Sequence, residues 1–118
     1  MQYFLTVPHD SATEPTMESE AELDPAAFEQ LIAGVEALNR DLEASGAFRF
    51  AGGLQPPSTA KTVDATGEET AVLEEPFVVA DSYVGGFWVI EADEATALQW
   101  AERASKVLQS RIEVRALQ

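Results

Sequence analysis

The sequence predicts an α+β domain. Three observations carry the prediction: aromatic and β-branched runs at 2–7 and 87–92, an amphipathic helical pattern over 24–45, and the order in which such segments follow one another. The 118 residues suit a single domain spanning 1–118. A chain of this length buries roughly two-thirds of its unfolded surface, so it folds without a disulfide or metal staple.

Residues 2–7 (QYFLTV) form a first strand that Pro8 stops. Residues 9–24 read as a polar, acidic connection holding Glu14, Pro15, Glu18, Glu20, Glu22 and Asp24. A helix starts at Asp24-Pro25, where Asp caps and Pro is pre-organised for the first helical position. Phe28, Leu31, Ile32, Val35, Leu38 and Leu42 then recur at three- and four-residue steps, and Gly46 ends the helix as a left-handed cap. A strand at 47–51 alternates Phe48 and Phe50 with Arg49 before Gly52-Gly53 and Pro56-Pro57 break it. Segments 59–65 and 69–73 pair as a hairpin around Thr66-Gly67, and 74–84 runs irregularly past Pro76. The run 87–92 (FWVIEA) is the strongest strand signal. Asp93 caps a second helix whose inner face is Ala97, Leu98, Ala101, Ala104 and Leu108, and a last strand at 111–117 alternates Ile112 and Val114 with charged residues.

Four core strands and two helices in this order give a split βαβ, ferredoxin-like sheet with its helices on one face. The strands add a constraint. Phe87 and Val89 are apolar on one side of their strand, Trp88 and Ile90 on the other; Tyr3, Leu5 and Val7 likewise oppose Phe4. Strands apolar on both faces are normally covered on both. Two helices cover one face, so the other requires the hairpin or a second copy of the chain, and a homodimer is expected.

Composition narrows the function. Seven Lys+Arg against 21 Asp+Glu give a net charge of −14, which repels phosphate backbones, so no nucleic-acid partner is expected. The absence of cysteine removes disulfides, thiolate metal sites and cysteine nucleophiles. No apolar run approaches the ~20 residues of a membrane helix, and the N-terminus has no signal-like core, so no membrane association and a cytoplasmic location are expected. No Gly-rich phosphate loop, zinc spacing or nucleophile elbow is present, so no cofactor or metal is expected. The acidic run from Glu14 to Asp24 reads as a solvated flap, a docking surface for a basic protein, or a sign of adaptation to high salt.

GGLQPPSTAKTV (52–63), LEEPF (73–77), GGFWVIEADEATALQWAERAS (85–105) and IEVRAL (112–117) resemble the DGPF group of the YCII-related proteins over nearly the whole chain. The resemblance implies a small bacterial protein of dimeric α+β barrel fold. It implies no settled activity: the relatives include a dehydrochlorinase, and some members are linked to extracytoplasmic-function sigma factors. The signature stands here as Glu74-Glu75-Pro76-Phe77, without its glycine, and the stretch after it, Val79-Ala80-Asp81-Ser82, lacks the usual lysine. The histidine of the acid–base dyad described for related proteins falls at about Val35, so that dyad does not carry over.

The candidate catalytic residues are His9, the single histidine, and Asp81. Asp10 follows His9 but points away from it on an extended chain, and the plainer reading of His9 is a solvated loop residue. Gln55 and Pro57, within the stiff stretch Gln55-Pro56-Pro57-Ser58-Thr59, are candidate ligand contacts, against a rigid connector as the plainer reading. Glu74, Glu75, Asp81 and Tyr83 flank Pro76 and Phe77. Phe77 and Tyr83 join the ligand candidates, and the carboxylates are otherwise simply solvated. Trp88 is the last ligand candidate, with core packing as its plainer role. Two functions are thus in view. One is a homodimeric small-molecule-binding or regulatory module. The other is a lyase or isomerase of the dehydrochlorinase kind, using His9 and a carboxylate of segment 74–81.

Overall fold

A computed structural model describes the chain except for residues 11–13 and 15. The elements run β1 (Gln2–His9), α1 (Met17–Leu23), α2 (Pro25–Ser45), β2 (Phe48–Gly53), β3 (Thr62–Asp64), β4 (Ala71–Leu73), β5 (Tyr83–Glu91), α3 (Glu94–Leu108) and β6 (Glu113–Ala116). β2, β5, β1 and β6 form one antiparallel sheet in that spatial order, and β3 pairs with β4 in a separate hairpin. The α+β class is as expected.

The main helix forms where its signals lie. The Asp24 side chain accepts from the Ala27 N–H, Pro25 opens the helix, and Gly46 closes it at φ 80°, a conformation that costs glycine least. Leu38 and Leu42 are buried from it; Phe28, Leu31 and Ile32 are only half-buried, because its N-terminal half runs beyond the sheet and meets α1 instead. In α3, Asp93 accepts from the Thr96 N–H, and Ala97, Ala101 and Ala104 are buried. These small side chains let α3 lie close to the sheet. Leu98, expected on that inner face, is 51% exposed. It follows Ala97 by one residue, about 100° round the helix, and so turns away.

Four other expectations change. The connection 9–24 contains α1, held by a reciprocal cap in which the Ser19 N–H donates to Thr16 Oγ1 and the Thr16 N–H to Ser19 Oγ. α1 buries none of its residues, so it leaves no apolar period in the sequence. Residues 11–13 and 15 of that connection lie outside the described residues. Pro8 does not end the first strand: a register shift between Val7 and Pro8 absorbs it, and pairing continues to His9 opposite Tyr83. β5 consequently begins at Tyr83, four residues earlier than the apolar run suggests. The hairpin strands shrink to three residues each.

The register settles the two faces. Tyr3, Leu5, Val7, Trp88 and Ile90 share one buried core with Leu38 and Leu42 of α2 and the alanines of α3. Phe4 pairs with Val89, and Thr6 with Phe87, on the opposite face. There the Phe4 and Phe50 rings lie 5.4 and 5.9 Å from that of Phe87, and Phe50 is 61% exposed. Trp88 and Ile90 therefore belong to the helix-covered side, and Phe87 and Val89 to the open one. The hairpin does not join this sheet. The chain measures 49 × 39 × 20 Å with a radius of gyration of 16.4 Å, against about 13.5 Å for a compact chain of this length.

Candidate functional site

Beyond Gly53 the backbone keeps contact with β5, since the Leu54 N–H donates to the Gly85 carbonyl at 2.9 Å. Pro56 and Pro57 then force a short 3-10 turn over Pro57–Thr59, closed by the Thr59 N–H and hydroxyl on the Pro56 carbonyl at 2.9 and 2.7 Å. On the far side, the Thr62 hydroxyl donates to the Glu75 carbonyl at 2.8 Å, which ties segment 74–82 to the base of the hairpin. Between these walls lies a cleft of about 780 Å³, floored by Tyr83 and Val84 at the start of β5. That volume lies within the range of small-molecule sites.

Five sequence candidates meet in this cleft: Gln55, Pro57, Phe77, Asp81 and Tyr83. Most of the remaining lining is apolar, from Leu54, Pro76, Val78, Val79 and Val84. Asp10 and Glu14 add carboxylates. Asp10 accepts from Arg111 Nη2 at 2.7 Å and from the Ser82 hydroxyl, which fastens β1 to the 74–82 segment and to the approach to β6. Glu14 Oε2 accepts from the Ser58 hydroxyl at 2.6 Å, and its backbone has φ 48°, in the left-handed region. The Tyr83 hydroxyl is shut off from solvent and has no hydrogen-bond partner among the described residues. Burial pushes the Tyr83 phenol above its ordinary value, and the charge of Glu14 adds to this.

The remaining candidates stand elsewhere. Trp88 is 5% exposed in the core and donates its indole N–H to Asn39 Oδ1, so it is a packing residue and not part of the cleft. Glu74 faces Lys61 at 3.9 Å on the surface. The His9 ring lies over Gly85, where a Cβ would stand 2.5 Å from His9 Cε1, and it meets the Tyr83 ring edge-on at 5.6 Å. No carboxylate among the described residues reaches His9 within ion-pair distance; Asp10 is committed to Arg111 instead. Among the described residues no group of three or more His, Asp or Glu side chains is gathered as a metal site.

Glu14 and Ser58 line the cleft and Arg111 pairs with Asp10 beside it, positions that the sequence did not single out individually. Their contacts span 44 and 101 residues of chain, and no local spacing announces them. No protein-family model matches this chain, and no curated protein is similar to it.

Proposed function

We propose that the chain is a homodimeric small-molecule-binding or regulatory module that holds its ligand in the cleft between segment 54–60 and segment 76–84. The observation that carries this is the convergence of Gln55, Pro57, Phe77, Asp81 and Tyr83 on one cleft of about 780 Å³. A mostly apolar lining with a few polar groups is the usual make-up of such a site. The lyase or isomerase reading calls for His9 and a carboxylate of segment 74–81 to converge within hydrogen-bond reach, and no such pair forms among the described residues, which favours the binding module.

The strand order β2-β5-β1-β6, with α2 and α3 on one face, supports a split βαβ, ferredoxin-like reading. The open face with Phe4, Phe50, Phe87 and Val89 supports a dimer in which two sheets meet across a two-fold axis. Membership of the YCII-related DGPF group rests on the four sequence segments. The cleft adds a reason to take the degenerate signature seriously, since its Pro76 and Phe77 form part of the wall.

A thermal-shift screen of small organic ligands tests the reading. A ligand at a hundred times its Kd stabilises the native state by about 2.7 kcal/mol, which moves the midpoint visibly. Ala80→Trp, which fills the cleft from its rim, should abolish the shift while leaving the circular dichroism spectrum unchanged. A hit that binds Ala80→Trp equally well would overturn the assignment to this cleft.

A further inference from the structure

We infer that the cleft selects an organic ammonium ion carrying an apolar body. This rests on the cleft being a ligand site and adds the chemical class of what enters it. The lining holds three carboxylates, Asp10, Glu14 and Asp81, and no Lys, Arg or His. Arg111 neutralises Asp10 from outside the lining. Glu14 is met by the neutral hydroxyl of Ser58, and Asp81 has neither a hydrogen bond nor an ion pair among the described residues. Two negative charges in the cleft are therefore uncompensated, on a chain that already carries −14. An anionic ligand is repelled there and a cation is drawn in.

The apolar part of the site asks for more than a bare cation. Leu54, Val78, Val79 and Val84 offer a wall that a hydrated metal ion would not use. Phe77, 88% exposed, and Tyr83 both line the cleft, and an aromatic face attracts an ammonium group.

The test uses three probes of nearly equal shape on the full chain: phenethylamine, phenethyl alcohol and phenylacetate, by calorimetry and thermal shift. Phenethylamine should bind roughly tenfold or more tighter than the alcohol, with no binding of phenylacetate. Glu14→Gln and Asp81→Asn should each weaken the amine several-fold. Glu36→Gln removes the same charge from the outer face of α2 and should leave binding unchanged. Equal loss with Glu36→Gln would reduce the effect to net charge and overturn the inference. Binding of the alcohol or phenylacetate as tight as that of the amine, and sensitive to Ala80→Trp, would also overturn it while leaving the cleft itself as the ligand site. Failure of the amine to bind overturns the inference alone; the ligand-site reading falls only if the wider screen is empty too.

Discussion

The indole nitrogen of Trp88 donates to the side-chain oxygen of Asn39 across 2.8 Å, joining the central strand β5 to the middle of α2. Both partners sit in or beside the core, so the bond answers the one polar atom that Trp88 brings there. Asn39→Leu leaves that N–H buried and unanswered, and should cost about 1–3 kcal/mol. Urea unfolding followed by tryptophan emission reads the loss, and a midpoint equal to that of the native chain would mean that water replaces the amide.

Leu38 is 1% exposed while Glu36, two residues earlier, points to solvent. Leu38→Ala should destabilise by roughly 2–5 kcal/mol, through lost burial and the cavity left behind. Glu36→Ala should change stability by less than about 0.5 kcal/mol. Chemical denaturation of the two variants checks the helix face, and equal effects would contradict it.

The open sheet face predicts the oligomer. Sedimentation equilibrium at tens of micromolar should give about 26 kDa, twice the 12.8 kDa of one chain. Phe50→Glu is the informative variant, because Phe50 is exposed in the single chain and its replacement leaves the helix-side core untouched. It should give a folded monomer. A charge at Trp88 would not serve, since that side chain belongs to the core and its loss would unfold the chain. A native protein that sediments as a monomer would remove the dimer.

Tyr83 should keep its proton beyond the pH near 10 at which a free phenol ionises, first because burial disfavours the phenolate and then because Glu14 repels it. A folded value above the unfolded one means that the linked stabilisation is complete below about pH 10 and is lost as pH rises through the folded value. Ultraviolet titration in a Tyr3→Phe background isolates this phenol. Glu14→Gln should bring its titration part of the way back, with burial keeping the rest. An unchanged curve in Glu14→Gln would separate Glu14 from the cleft.

Much of the framework was determined by the sequence alone, because its signals are local. Asp24-Pro25 and Gly46 bound α2 through caps made within three residues, Asp93 starts α3 in the same way, and the apolar runs mark β1 and β5. α1 carried only its reciprocal Thr16–Ser19 cap, since a helix that buries nothing has no period to read. Which face of β5 meets the helices was open, as Phe87 and Trp88 are both apolar, and only the register with β1 and β2 put Trp88 inside. The cleft was legible as residue types but not as a place. Its walls come from segments near 10, 55 and 80, and the contacts joining them, Ser58 to Glu14 and Arg111 to Asp10, close long loops. Side-chain chemistry is written residue by residue, whereas convergence depends on the packing that brings distant loops together, and that was decided by the tertiary structure.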